Sequence, residues 1–451
     1  MVAPASAASG AAPAPRRIGV GILGGGTVGA ALVGLLAERR TEIAARCGIE
    51  LVPVAVAVRS PDRPRPGVPA DLLTGDAAAV VARPDTDIVV ELIGGIDPAR
   101  ELLLAAMAGG KPVVTANKEV LAGHGAELFA AARAAGVDLL FEAAVGGAIP
   151  LVRALRESLA GESVRRIMGI VNGTTNYILS RMTTAGSGYH DALAEAQALG
   201  YAEADPRADV EGHDAAAKAA IMAGIVFGAE VTTADVHCEG ISTLSPNDIA
   251  FARRLGHVIK LLAIAERIDG DGGAGSAGGG GAAVAVRVHP AMVPDDHPLA
   301  AVRDSFNAVF VEGDAAGELM LYGRGAGGRP TASAVLGDLI DAAVNLASGA
   351  AAGPPPVAPA RIHPIGELRT AYYLALEVID RPGVLAAVAG VFGRHGVSIR
   401  SMEQEGLGDQ ARIIFITHVA CESDMRATLD DLRHLEAVRQ VGSVLRVIAD
   451  E

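Results

Sequence analysis

Short apolar runs alternate with longer helix-compatible stretches through the first part of the chain. Residues 18–23 (IGVGIL), 51–58, 87–95 (DIVVELIGG) and 139–142 read as buried strands, and so does 111–118 (KPVVTANK), which leads into a polar loop. Helices are expected from the glycines at 24–29 to residue 40 and over 98–110. Strands and helices in alternation predict a parallel, doubly wound α/β sheet. Further on, the pattern predicts a helix from 151, a strand over 163–171 and an apolar helix over 178–182. Apolar strand-like runs flank residues 269–281 (DGDGGAGSAGGGG), which read as a flexible hairpin loop rather than a phosphate cradle. Past a Pro/Ala/Gly linker at 348–360 the pattern changes. A strand over 373–379, a turn at 380–383, a helix over 384–395, strands over 397–405 and 412–419, a helix over 424–435 and a strand over 441–448 follow the βαββαβ order of a ferredoxin-like unit. It holds no acid–base cluster, so it reads as a binding or pairing module.

These patterns divide the 451 residues into an Ala/Pro/Ser/Gly tail at 1–14, expected to be disordered, and an α/β domain at 15–145 completed by 315–345. An α+β domain at 146–314, a linker at 346–368 and the C-terminal module at 369–451 complete the chain. A formal net charge of −14 argues against nucleic-acid binding. Alanine inflates the apolar fraction, and the class is soluble globular rather than membrane. Arg16-Arg17 before an uncharged run to Ala37 resembles an export signal, but that run contains seven glycines, and a nucleotide-binding turn explains it better. Cys47, Cys238 and Cys421 are far apart, without metal-ligand spacing, and suggest a reducing, cytoplasmic setting.

The first strand runs directly into Gly24-Gly25-Gly26-Thr27-Val28-Gly29, which fits G-x-G-x-x-G. Strand before and helix after give that motif its weight: the glycines permit a tight turn and close approach to a pyrophosphate, and the helix N-terminus offers N–H groups. At the tip of the second strand stands Arg59-Ser60 rather than an acid, which suits a 2′-phosphate and favours NADP; Asp62 keeps NAD open. Gly94, Thr115, Asn117 and Lys118 fall at strand C-termini, where ligands of such sheets sit. The turn at Val145-Gly146-Gly147 either exposes carbonyls to a monovalent cation or simply joins strand to helix. Asn172-Gly173-Thr174-Thr175-Asn176-Tyr177 leads a helix with small donors that suit a substrate carboxylate or amine, or cap the helix.

Residues 200–218 (GYAEADPRADVEGHDAAAK) concentrate the chemistry. Glu203, Asp205, Asp209, Glu211 and Asp214 precede Lys218, and the stretch reads as a loop followed by a helix start. Asp214 and Lys218 then share one helical face, one turn apart. Alone, such a pair is most often a surface ion pair. At 322–339, glycines precede Pro330-Thr331 and an apolar helix, a segment expected to return to the nucleotide domain.

Taken in order, these motifs resemble a bacterial homoserine dehydrogenase with a C-terminal ACT domain. They are GILGGGTVG at 21–29, VVELIGG at 89–95, KPVVTANK at 111–118, FEAAVGGAIP at 141–150, NGTTNYIL at 172–179, the 200–218 stretch, GRGAGGRPTASAV at 323–335 and DRPGVL at 380–385. The resemblance implies a Rossmann-type nucleotide domain, an α+β substrate and dimerisation domain, and a ferredoxin-like ACT domain. It implies interconversion of L-homoserine and L-aspartate 4-semialdehyde with NAD(P), on the route to threonine, methionine and isoleucine. Lys218 matches the catalytic lysine and Lys118 a second lysine near substrate and nicotinamide. Glu203, Asp214 and Thr174 match substrate-binding positions. Gly24, Gly26, Thr27, Val28, Gly29, Arg59, Thr115, Gly200, Gly325 and Gly327 match cofactor contacts. Glu142, Val145, Gly147 and Ile149 match positions whose carbonyls hold sodium. Threonine is the implied effector of the ACT domain, and a homo-oligomer, dimer or tetramer, is expected. Two other readings compete: a nucleotide fold that has lost catalysis and only senses an amino acid, and another dehydrogenase of similar build acting on aspartate or an aldehyde, the acylating aldehyde type needing a nucleophilic cysteine such as Cys238.

Overall fold

The computed structural model describes residues 14–268, 283–351, 353–354, 356–406 and 409–448. The glycine-rich stretch 269–281, and the expected tail up to residue 13, lie outside the described residues. The chain forms two compact units: 1–120 with 127–144 and 327–354, and 121–126 with 145–326 and 355–451.

The first unit is built on a six-stranded sheet in the order Leu73–Thr74, Ile49–Ala57, Arg16–Leu23, Ile88–Glu91, Val113–Thr115 and Leu139–Leu140. Neighbouring strands are parallel throughout. This is the strand order of a dinucleotide-binding fold, with the first strand at the point where the winding reverses. Ile18, Val20 and Ile22 are fully buried, as expected of a strand covered on both faces. The Thr27–Cys47 helix places Leu32 and Leu36 in the same core as Ala332, Val335 and Leu339 of the Gly328–Ser348 helix. From Gly327 onward the 322–339 segment returns to the nucleotide fold, whereas residues 315–326, expected there too, stay in the second unit, where Gly317–Arg324 is a strand of its sheet. The returning helix runs on through Ser348, so residues 346–348 are helical rather than linker. Lys118 opens a helix, Lys118–Ala135, instead of lying in a loop, because Asn117 caps it: its Oδ1 accepts the Val120 N–H at 3.2 Å.

The second unit is organised on a sheet with twelve strands among the described residues. Its main path runs Gly317–Arg324, Phe306–Gly313, Val164–Ile170, His257–Ile268, Ala283–Pro294, Val438–Val447, Arg369–Ile379, Gln410–Thr417 and Ile399–Gly406. His257–Ile268 and Ala283–Pro294 pair antiparallel along their full length. The last four strands of the path, with the Val384–Arg394 and Glu422–Arg433 helices, form the expected βαββαβ module. Its core sets Leu374, Leu376 and Val378 against Val388, Phe392, Met425 and Leu432. The module joins the rest of the unit edge to edge: Ala291 and Met292 pair in parallel with Arg446 and Val447. The Gly173–Ala185 and His213–Phe227 helices also belong to this unit. Residues 200–212 are mostly loop, as expected, but Arg207–Val210 closes a short helical turn after Pro206.

Candidate functional site

In the first unit the backbone turns sharply at Gly24, whose φ is +110°, where a side chain would meet the Leu92 carbonyl at 2.6 Å. A side chain at Gly29 would lie 2.0 Å from the Gly24 carbonyl oxygen, so that position fixes how closely helix and turn pack. Gly26 caps the Thr27–Cys47 helix without a side-chain hydrogen bond. The helix therefore begins with N–H groups available to an anion. Gly327 (φ +126°) leads into Gly328, whose missing side chain makes room for Thr27. Arg59, the expected 2′-phosphate partner, is exposed. Arg65, which no sequence motif marks, donates its Nη1 to the Gly25 carbonyl at 3.2 Å, and its Nε is buried without a partner among the described residues. A buried guanidinium N–H beside a glycine-rich turn suits a phosphate-bearing cofactor. The residues present thus fit an NAD(P) pyrophosphate.

The sheet's ligand-facing rim is tied together by a residue that the sequence motif contained but chemistry did not single out. Glu91 is fully buried at the end of its strand. Its carboxylate accepts from Thr115 Oγ1 at 2.6 Å, Ile93 N at 2.8 Å, Gly94 N at 3.1 Å and Asn117 Nδ2 at 3.4 Å. Asn117 Nδ2 also donates to the Gly95 carbonyl at 2.6 Å. The loop that carries Gly94 and the start of the Lys118–Ala135 helix are thereby fixed to each other. A lone acid inside an apolar run (VVELIGG) was the signal for it.

In the second unit, Asp214 and Lys218 lie one turn apart on the His213–Phe227 helix, with Nζ to Oδ2 at 2.7 Å. Only 12% of the Lys218 side chain and 11% of the Asp214 side chain is exposed, which separates the pair from a surface salt bridge. Lys218 Nζ also donates to the Val171 carbonyl at 2.7 Å, at the end of the Val164–Ile170 strand. The next residue, Asn172, is the hub. Its Nδ2 donates to Asp209 Oδ1 at 2.7 Å and to Asp214 Oδ2 at 2.8 Å, while its Oδ1 caps the next helix by accepting Thr175 N at 2.9 Å. Thr174 Oγ1 donates to the Tyr201 carbonyl at 2.7 Å, holding the loop just after Gly200 (φ +77°) against the same helix start. Glu203 lies exposed on that loop, and its carbonyl accepts from Gln197 Nε2 at 3.0 Å. Asp205 is set apart: hydrogen bonds from the Arg207 side chain and backbone hold its carboxyl down at about 2, as an exposed ion pair.

The remaining expected positions fall as follows. Gly325 sits in the second unit against Asn307 and Gly147, where its own side chain would collide with the Asn307 amide. Gly146 and Gly147 take successive left-handed conformations (φ +78° and +61°) between Val145 and Ile149. Glu142 belongs to the first unit, buried in a one-turn helix whose first N–H donates to Asp338 at 2.7 Å. Among the described residues, no group of three His, Cys, Asp or Glu side chains is placed to hold a metal ion. Cys238 donates to the Glu211 carbonyl at 3.2 Å, and burial pushes its thiol up to about 11, away from nucleophilic use at neutral pH. No helix among the described residues is long and apolar enough to cross a membrane.

Comparison with known proteins identifies the family. Residues 24–142 match the family model for the homoserine dehydrogenase NAD-binding domain, 150–340 that for homoserine dehydrogenase, and 372–437 that for the ACT domain. The chain is 52% identical over 434 residues to homoserine dehydrogenase of Corynebacterium glutamicum, covering 96% of each protein. It is 51% identical over 440 residues to that of Mycobacterium tuberculosis, covering 96% of this chain and 98% of the other. Among solved structures it resembles a homoserine dehydrogenase from Thiobacillus denitrificans, with a TM-score of 0.89, 42% identity, and 96% and 98% of the two chains covered. A hyperthermophilic archaeal homoserine dehydrogenase in complex with NADPH gives a TM-score of 0.60 at 27% identity, covering 73% of this chain and 98% of the other. The chain belongs to the homoserine dehydrogenase family.

Proposed function

We propose that Lys218 is the proton carrier of this NAD(P)-dependent oxidoreductase, acting on the oxygen of L-aspartate 4-semialdehyde or L-homoserine. The observation that carries this reading is the ammonium of Lys218 held between Asp214 and the Val171 carbonyl, with Asn172 behind Asp214. A bound nicotinamide supplies or accepts the hydride. In the reductive direction the aldehyde oxygen gains its proton from Lys218 Nζ as the carbon gains hydride; oxidation runs the same steps backwards. Asp214 fixes the lysine's direction and, with Glu203, presents negative charge to the substrate's α-ammonium. Thr174, held near Tyr201, lines the same helix start. Family resemblance makes Lys118 a second lysine of the reaction. The preferred cofactor is NADP, with Arg59 exposed near the second strand and Arg65 at the glycine turn available to phosphate groups.

Lys218→Ala should lower kcat for homoserine oxidation by roughly 10²–10⁴-fold, with NADPH affinity measured by fluorescence titration nearly unchanged. Wild-type turnover in that variant would sink the assignment. Three further parts of the reading come from family resemblance: inhibition by L-threonine through the ACT domain, a homo-oligomeric assembly, and a sodium ion on main-chain oxygens. The left-handed Gly146-Gly147 pair beside Val145 supports the last, since such turns expose successive carbonyls. A sodium series in the homoserine assay tests it.

A further inference from the structure

The ACT module covers only one face of its sheet with its own helices. Along Arg369–Ile379, Tyr372, Leu374, Leu376 and Val378 enter the module's core, so Tyr373, Ala375 and Glu377 lie on the opposite face. Across that face runs the Pro246–Arg254 helix, and between helix and sheet is a cavity of about 520 Å³. That size is within the range of roughly 300–1,000 Å³ usual for small-molecule sites.

The cavity carries both signs of charge. Asp248 is 4% exposed. Its Oδ2 accepts from Ser245 N at 2.9 Å, Ser245 Oγ at 2.6 Å and Ser443 Oγ at 2.7 Å, whereas among the described residues Oδ1 has only a long 3.5 Å contact from the Tyr373 hydroxyl. A buried carboxylate oxygen so weakly served is a natural acceptor for an ammonium group. Opposite charge stands in the same cavity: Arg412 donates one Nη to Glu377 at 2.9 Å, and a guanidinium has further N–H groups in a fork that matches a carboxylate. A simple anion would meet two acids there, and a simple cation would meet the guanidinium. A molecule with both charges a few bonds apart meets neither conflict.

We propose that this cavity binds a free α-amino acid, its carboxylate on Arg412 and its ammonium on Asp248 and Glu377. The proposal rests on the reading that the ACT module senses an amino acid, and gives that reading a location. It also gives it a route. The Pro246–Arg254 helix follows the segment 239–245, where Ile241 N donates to the Val210 carbonyl at 2.8 Å and Gly240 packs on Glu211. Val210 adjoins Asp209, which shares Asn172 with Asp214.

The test is calorimetric titration of the full-length protein with L-threonine, N-acetyl-L-threonine and L-threonine amide, beside inhibition assays. Wild type, Arg412→Gln and Ala375→Leu are compared, the last filling the cavity; homoserine oxidation without effector reports that each variant is folded. The expected result is that L-threonine binds wild type, both blocked forms fail, and each variant weakens binding at least tenfold at unchanged basal kcat. Wild-type binding by both folded variants would overturn the site while leaving threonine inhibition standing. Binding that follows the variants without any inhibition of turnover would support the site and refute the feedback reading. No binding of L-threonine to wild type would overturn the proposal.

Discussion

At the scale of single residues, partners decide which of several similar side chains does chemistry. The 200–218 stretch holds several acids, and sequence alone assigned Glu203 and Asp214 by resemblance while leaving Asp205 and Asp209 open. The structure sorts them physically: Asp205 is bound to Arg207 in solvent, whereas Asp209 and Asp214 share one Asn172 amide. Asn172 is therefore expected to act as a positioning residue. Asn172→Ala should lower kcat several-fold and change its pH profile while KM for NADP moves little; an unchanged pH profile would argue for a purely structural role as a helix cap. Cys238 yields a prediction of a different kind. Its neutral thiol is favoured in the folded chain, since burial and then the charges of Glu239 and Glu211 raise its pKa to about 11. The associated stability is present below the unfolded thiol value of about 8.5 and is lost as pH rises through about 11. Alkylation by iodoacetamide at pH 8, followed by mass spectrometry, should leave Cys238 unmodified in the native enzyme and modify it after unfolding.

At the scale of elements, most of the fold was legible because strand and helix periods are local properties. The five early strands, the βαββαβ order and the glycine turn all follow from apolar runs and punctuation by glycine. What was not legible depended on contacts far apart in sequence or on a single cap. Asn117 converts the expected loop at Lys118 into a helix start, and a helical turn at Arg207–Val210 follows a proline that reads equally well as a breaker. Glu91 was inside a quoted motif, yet its role as acceptor for four donors depends on Thr115 and Asn117. The glycine turn gives the clearest element-scale prediction. Gly29→Val would drive a side chain onto the Gly24 carbonyl, now 2.0 Å from where a Cβ would be. NADPH fluorescence titration should then show at least tenfold weaker binding, with the far-UV circular dichroism of the whole protein unchanged.

At the scale of the whole molecule, the second unit is one sheet continued through two modules, and Arg446 secures the seam. It is 5% exposed and forks onto both Glu239 and Glu422, with all four hydrogen bonds between 2.8 and 3.0 Å. Tyr372 also donates to Glu422, at 2.7 Å. Removing Arg446 leaves the Glu422 carboxylate, 11% exposed, uncompensated, so Arg446→Met should destabilise by about 3–5 kcal/mol, read as a lowered urea midpoint. The pH dependence has a definite sign. Burial raises the Glu239 carboxyl, but hydrogen bonds from His237 and Arg446 outweigh it and hold the group well below the usual carboxylate range. Its stabilising contribution is therefore present above the unfolded value of about 4.3 and fades as pH falls below it. Melting temperatures between pH 3 and 6 should drop more steeply for wild type than for Arg446→Met.

The seam bears on how this enzyme could be re-engineered. A regulatory module is usually exchanged as a cassette cut at the linker, but here the cassette's last strand is stitched into the host sheet at Ala291 and Met292. A donor module lacking a basic residue in register with Arg446 would leave the host's Glu239 stranded, and the chimera would fail at assembly before its new effector response was ever expressed.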